Sequence, residues 1–380
     1  MVRTRLLLAA AARRDEPARR RRAATRLGRT IIGLLLLASL AGRSADAAAL
    51  TVAIGGPAED PAYLPVHAAA ALETFRAEGV EVTLRRVKHA TAAATALRQR
   101  EADLAVTALD QAIQGVAARD VPIRLVVAHT RAPAVALVVS PAVRDAVHGV
   151  ADLRGRTVGI PGPGTTGHLL LLALLRQARV EPWQLDLRSL GGAALAGRVA
   201  SGELPAAILE EPWASRILEA GRGVALVDFR RPEETARVLG GPFYEIVTVG
   251  RRVLPPPRPR RGPAPPPPPE EPPDAALADF ARAVVRVQAW LATAPVAAIA
   301  DRLPPDLVRD RERFVARLAA ARDAYAADGD ATLAGLTATL RVLRLGTPWP
   351  VSLKLGPDDL LPPPAVAAAR RDLGWPPPPP

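Results

Sequence analysis

Two short stretches hold the groups with evident chemistry. Gly162-Pro163-Gly164-Thr165-Thr166-Gly167-His168 leads from an apolar run into a helix-like one. A helix N-terminus leaves backbone N–H groups unpaired and carries partial positive charge. Glycines let a ligand approach that backbone closely, and Thr165 and Thr166 add hydroxyls. The combination suits the oxygens of a sulfonate, carboxylate or phosphate. The same residues also describe a Gly-Pro turn with a Thr cap and no ligand. Gly164, Thr165, Thr166 and His168 are the candidates here, His168 sitting where a first helical turn lets it donate to an anion. The second stretch, Glu210-Glu211-Pro212-Trp213, puts two acids at a strand end and Pro212 at the expected first helical position. Glu211 is the candidate carboxylate, with the choice between Glu210 and Glu211 open. Two acids beside an anion site repel a simple anion. A solute with an amine as well as an acid group, or an amine-bearing heterocycle, reconciles the two stretches, unless an arginine pairs with one of the acids.

These stretches need elements to position them. Four apolar runs, 157–160, 185–190, 206–209 and 224–227, read as buried strands. Runs 168–178, 193–201 and 212–220 read as the helices between them. Such alternation with short links predicts a parallel sheet covered on both faces. In such sheets ligands bind beyond the carboxyl ends of the strands. The preceding stretch repeats the order, with strands at 50–54, 81–87, 104–106 and 123–128 and helices at 62–77, 91–100 and 109–118. Thr91 is a plausible cap for the second of these helices. Residues 100–106 and 202–208 match in role, each a helix end, a polar turn and a strand. The fold class is α/β, with two similar halves and a crossing between them at 134–139. In the first half the turns on the same sheet edge supply Tyr63, Thr91, Thr107 and Asp110 as ligand candidates. Further on, 243–249 reads as a strand returning to the first half. A helix over 274–294 carries Leu277, Phe280, Val284, Val287 and Leu291 on one face, and 306–327 and 331–343 follow as helices.

Composition excludes several classes. There is no cysteine, so there is no disulfide, thiolate nucleophile, cysteine-ligated zinc or lipidated cysteine anchor. His67, His89, His129 and His148 form no helical pair at metal-ligand spacing, and no metal or cofactor is expected. The net charge of +12 is misleading, because the eleven arginines and three acids of 1–47 account for +8 and leave +4 elsewhere. With aromatics at 3%, a nucleic-acid surface is not expected. The basic 3–29 region, the apolar run 30–41 and Ala45-Asp46-Ala47 together describe an export signal peptide over 1–47. The apolar run is shorter than the ~20 residues a membrane span needs. Arg21-Arg22 leaves the general and twin-arginine routes both open. Residues 255–273 hold twelve prolines, an extended segment read as a solvated surface insertion or, alternatively, a docking segment.

Asp152-Leu153-Arg154-Gly155-Arg156-Thr157-Val158-Gly159-Ile160 resembles the opening of the second lobe in substrate-binding proteins of ABC importers. The Gly-Thr-Thr-Gly-His turn, Ser201-Gly202-Glu203 and Glu211-Pro212-Trp213-Ala214-Ser215 resemble further motifs of that family, in the same order. The group is the nitrate, sulfonate and taurine type, which includes binders of thiamine precursors. The resemblance covers about 50–370. It implies a periplasmic-binding-protein type II fold, two doubly wound α/β lobes joined by two hinge strands. Lobe one is then 48–133 plus 247–350, lobe two 134–246, and 351–380 a C-terminal extension with a proline-rich tail. The helices after 306 are implied to cover lobe one. The family's aspartate before the strand is Pro205 here, while Asp103 keeps it in lobe one. Without cysteine, the thiamine-pyrimidine synthases and sulfinate-cleaving enzymes of this fold are not matched. The implied function is an exported, periplasmic, monomeric and non-catalytic receptor for a small polar or anionic solute. It serves a membrane permease and a separate ATPase chain, since neither lysine opens a Gly-Lys-Ser/Thr phosphate loop. The alternative is a lyase or dehydratase on the same fold, with Glu211 or His168 as acid or base.

Overall fold

The computed structural model describes residues 48–380 apart from 120, 253–270, 347–348, 351–352, 372 and 374–380. The expected signal peptide, most of the proline-rich insertion and the 376–380 tail lie outside the described residues.

In chain order the strands are β1 (Ala48–Ile54), β2 (Val80–Arg86), β3 (Leu104–Ala108), β4 (Ile123–Ala128), β5 (Val135–Val139), β6 (Thr157–Ile160), β7 (Asp186–Ser189), β8 (Ala206–Glu210), β9 (Val224–Asp228) and β10 (Ile246–Arg251). They form two five-stranded sheets, ordered β2-β1-β3-β10-β4 and β7-β6-β8-β5-β9. The two orders are the same pattern written twice: three parallel strands, then the strand that arrives from the other sheet, then an edge strand. The arriving strands β5 and β10 run antiparallel to both neighbours. The expected purely parallel sheets are therefore mixed. Each arriving strand enters its new sheet at the carboxyl edge, so it must run backwards beside its neighbours, β10 doing so even with helix Pro232–Leu239 in its link.

The central strands β5 and β10 are buried along their whole length, as their unbroken apolar runs require. The edge strands differ. Three of the four residues of β7 are exposed, and the first two of β9, so these two are not the buried strands expected. Each has a neighbour on one side only, and water reaches the other.

Helices fill the faces. The expected 62–77 helix breaks into Leu64–Ala71 and Thr74–Ala77, with Glu73 at φ +55°. The break turns Phe75 inward to stack on Phe280, ring centroids 5.2 Å apart. The expected 306–327 helix is likewise interrupted at Arg309 (φ +50°) before Arg311–Ala321, which Asp310 caps. Helices Pro232–Leu239, Val296–Arg302 and Pro364–Arg371 were not expected. Helix Asp274–Thr293 buries Leu277, Phe280, Val284, Val287 and Leu291, the face read from its spacing. It lies on the first sheet with Leu64, Val66 and Val106. Helix Leu333–Leu343 packs instead against helix Thr166–Gln177 beside the second sheet, not over lobe one as the resemblance implies. Its apolar face matches the leucines of 169–175, whose own stripe is wider than the sheet can cover.

Candidate functional site

The strand registers bring two edges together. β1, β2 and β3 end along one edge of the first sheet, where antiparallel β10 begins with Ile246 opposite Ala108. β4 ends there too, Ala128 opposite Val247. In the second sheet, β6, β7 and β8 end along the edge where β5 begins with Val135 opposite Glu210. β9 leaves from that same edge, Asp228 opposite Ala136. The crossings 129–134 and 229–245 thus both join carboxyl edge to carboxyl edge. They also lie side by side: the Phe243 N–H donates to the Arg131 carbonyl at 3.0 Å. The Thr130 hydroxyl accepts the N–H groups of Glu245 and Ile246 at 3.2 and 3.1 Å. The carboxyl edges of the two sheets are thus tied to each other through these crossings.

On the second sheet, the 162–168 turn spends most of its donors on itself. Thr165 caps helix Thr166–Gln177, accepting the His168 N–H at 3.3 Å and donating its hydroxyl to the Gly162 carbonyl at 2.9 Å. The Gly164 N–H donates to His168 Nδ1 at 3.0 Å, and Gly164 takes φ +78°, which favours glycine. His168 is therefore a neutral acceptor at Nδ1, and partial burial lowers its pKa. Thr166 stands apart. Its hydroxyl turns to the carboxylate of Glu245.

The two acids after β8 separate. Glu211 accepts the Ser215 hydroxyl at 2.7 Å and pairs with Arg230 at 2.7 Å, while Arg230 also binds Asp228. This is the arginine pairing left open by the sequence, and it removes Glu211 from the free carboxylates. Glu210 has no such partner, and burial raises its pKa. Helix Trp213–Glu219 starts one residue after Pro212, not at it. The Trp213 ring lies against Gly192, where a Cβ would come within 2.4 Å of it, so residue 192 must lack a side chain.

On the first sheet, Tyr63 precedes helix Leu64–Ala71 and packs its ring on Gly56. It is only 6% exposed, and its hydroxyl has no hydrogen-bond partner among the described residues. Burial, then the charges of Asp60, Glu245 and Asp110, raise its pKa. Asp110 sits in the first turn of helix Leu109–Gly115 and accepts from Gln111 Nε2 at 2.8 Å. Gln111 in turn accepts the Thr91 hydroxyl at 2.6 Å. Thr91 is not the cap; His89 Nδ1 accepts the Ala92 N–H and caps helix Ala90–Arg98 instead. Thr107 is fully buried and donates to the Ala90 carbonyl at 2.8 Å. It fastens β3 to that helix.

Glu245 is the residue that sequence reasoning missed. It ends the second crossing, and its carbonyl accepts the Leu109 N–H at 2.9 Å. Burial raises its carboxyl pKa to about 7; Thr166 opposes the rise, and Glu210, Asp60 and Asp110 add to it. Glu245 thus marks the point where residues of both sheets and a crossing meet. A lone acid inside Phe243-Tyr244-Glu245-Ile246-Val247, an otherwise apolar run, was the available signal. Among the described residues no three His, Asp or Glu side chains converge closely enough to hold a metal ion.

The NMT1/THI5-like family model matches residues 60–230. No curated protein matches the chain. Among solved structures, a protein of Bordetella bronchiseptica RB50 is similar at 20% identity and TM-score 0.60, covering 86% of this chain and 98% of that one. A chain assigned as the periplasmic sulfonate-binding protein SsuA of Methylobacillus flagellatus KT is similar at 16% and 0.58, covering 87% and 96%. The periplasmic nitrate-binding protein NrtA of Synechocystis PCC 6803 is similar at 14% and 0.53, covering 87% and 90%. At such identities the likeness establishes the fold: two α/β lobes of the periplasmic-binding-protein kind.

Proposed function

We propose that this chain, NMT1/THI5-like over 60–230, is an exported, non-catalytic solute receptor of an ABC importer. One observation supports the reading: the strand registers bring the carboxyl edges of both sheets to the paired crossings, and in this reading Tyr63, Asp110, Thr166, Glu210 and Glu245 line the space between those edges. The shared fold with periplasmic nitrate- and sulfonate-binding proteins supports it. A small polar organic solute, of the sulfonate, taurine, nitrate or thiamine-precursor kind, enters between the lobes. The lobes then rotate about the paired crossings, and closure removes the solute from water. A membrane permease reads the closed form, and a separate ATPase chain drives transport. The receptor works as a monomer in the periplasm, sent there by 1–47. No helix among the described residues is long and apolar enough to cross a membrane.

In this assignment Tyr63, Asp110 and Thr166 touch the solute. Thr91, Thr107, Gly164, Thr165 and His168 hold the walls that present them, and Glu210 replaces Glu211 as the lobe-two carboxylate. The test is thermal-shift screening of the chain against sulfonates, nitrate, amino-sulfonates, thiamine precursors and aromatic acids. A ligand at 100 times its Kd stabilises by about 2.7 kcal/mol. Small-angle scattering of the stabilised complex must show a smaller radius of gyration, and mass spectrometry must recover the solute unchanged. Conversion of the solute, or binding without closure, overturns the receptor reading. Cell fractionation checks the location.

A further inference from the structure

We propose that the hollow between helices Thr166–Gln177, Pro232–Leu239 and Leu333–Leu343 binds an amphipathic anion, a medium-chain aliphatic carboxylate. The hollow has a volume of about 570 Å³, inside the range of about 300–1,000 Å³ typical of small-molecule sites. It exists because helix Leu333–Leu343 packs beside the second sheet, where Ala173 and Ala338 are too small to close the space between the two helices. Leu239, Leu340 and Val342 complete an apolar floor, and all five residues are buried. The hollow is separate from the candidate solute site. Helix Thr166–Gln177 starts at the carboxyl edge of its sheet with Thr166, and Arg176, on the hollow, is about 15 Å further along that helix.

Charge selects the ligand. Arg176, Arg341 and Arg344 line the hollow, and among the described residues no acid does. None of the three forms an ion pair among the described residues, whereas surface arginines elsewhere do, as Arg85 with Glu101, Arg198 with Glu203 and Arg311 with Asp301. Of the acids closest in the chain to the lining, Glu234 pairs with Arg237 and Asp359 with Arg252, and Asp358 is exposed. Three like charges around one concavity repel each other and focus a positive potential into it. The walls are also set in place. Arg344 donates to the Leu355 carbonyl at 2.8 Å, and its guanidinium lies over the Trp349 ring, 5.1 Å from the centroid. On the other side, Gln177 Nε2 donates to the Val238 carbonyl at 3.0 Å and fastens helix Pro232–Leu239. Guanidinium groups at the rim of a dry floor match a carboxylate head with an alkyl tail. A bare inorganic anion leaves the floor wet, and an alcohol leaves the arginines unpaired.

Isothermal titration of the full chain at pH 7.5, below micelle-forming concentrations, tests this with octanoate, decanoate, octanol and octyltrimethylammonium. Decanoate should bind about tenfold more tightly than octanoate, for two further buried methylenes. Octanoate should bind at least about fivefold more tightly than octanol, and octyltrimethylammonium should not bind. Thr337→Trp, at an exposed helix position on the hollow, should fill the space and abolish decanoate binding while the thermal unfolding of the free protein stays put. The double variant Arg176→Gln/Arg341→Gln, also at exposed positions, should weaken decanoate about tenfold. Absence of saturable decanoate binding overturns the proposal, as does octanol or the cation binding as tightly as octanoate. Decanoate affinity unchanged in Thr337→Trp or in the double arginine variant overturns it too. So does adsorption to phosphatidylglycerol vesicles that the double variant abolishes, with no free decanoate bound, which assigns the arginines to a membrane surface. None of these outcomes bears on the receptor reading, whose solute site lies elsewhere.

Discussion

Replacing Glu245 by Gln should stabilise this protein, and only above a definite pH. The carboxyl is raised from 4.5 to about 7 in the folded chain, chiefly by burial. Below 4.5 it is protonated in both folded and unfolded states and contributes nothing to the difference. Between 4.5 and 7 the folded state holds a proton that the unfolded state has lost, so stability falls as pH rises. Above 7 the penalty is complete. At about 1.36 kcal/mol per tenfold change in acidity constant, it reaches roughly 3 kcal/mol, and about 2 once the partial solvation of this half-buried carboxylate is counted. Glutamine keeps the shape and can still accept from Thr166, so it removes the charge and little else. Urea unfolding at pH 4.5 and pH 8 measures the difference. The variant should match the parent at pH 4.5 and exceed it by about 2 kcal/mol at pH 8. An equal effect at both pH values, or destabilisation at pH 8, would show that Glu245 is not held in a dry, acid-rich cleft.

Arg230→Ala should cost about 2–4 kcal/mol in urea unfolding, because it strands Asp228, at 6% exposure, and Glu211, at 20%. Glu211→Gln should cost less, since Arg230 keeps Asp228. Thr165→Ala should lose about 1 kcal/mol by uncapping helix Thr166–Gln177. Thr166→Ala should leave stability at low pH nearly unchanged, yet move the Glu245 titration further upward when followed by carbon NMR of the carboxyl. Gly192→Ala should displace the Trp213 ring, seen as a shift in tryptophan emission, because an added Cβ comes within 2.4 Å of it.

Much of the fold was legible from residue patterns. The apolar runs of β3, β5, β8 and β10 are buried because nothing in them tolerates water. The same holds for the face of helix Asp274–Thr293. What escaped was whatever depends on a distant neighbour. β7 has a strand's composition, but its exposure follows from being at an edge. Helix Leu333–Leu343 has an apolar stripe that fits either sheet's helices, and only packing assigns it to helix Thr166–Gln177.

The site divides in the same way. The composition and spacing of the chain determined that two α/β halves exist and that their turns carry hydroxyls, glycines and acids, because period-two and period-3.6 burial are local properties. They could not decide which acids remain free. Glu210 and Glu211 are chain neighbours at a strand end, where successive side chains take opposite sides. Arg230, arriving after β9, claims one and leaves the other. Nor could they gather Glu245 with Thr166, Glu210, Asp60 and Asp110, since charges and desolvation act through space and these groups meet only when both crossings join one carboxyl edge to the other.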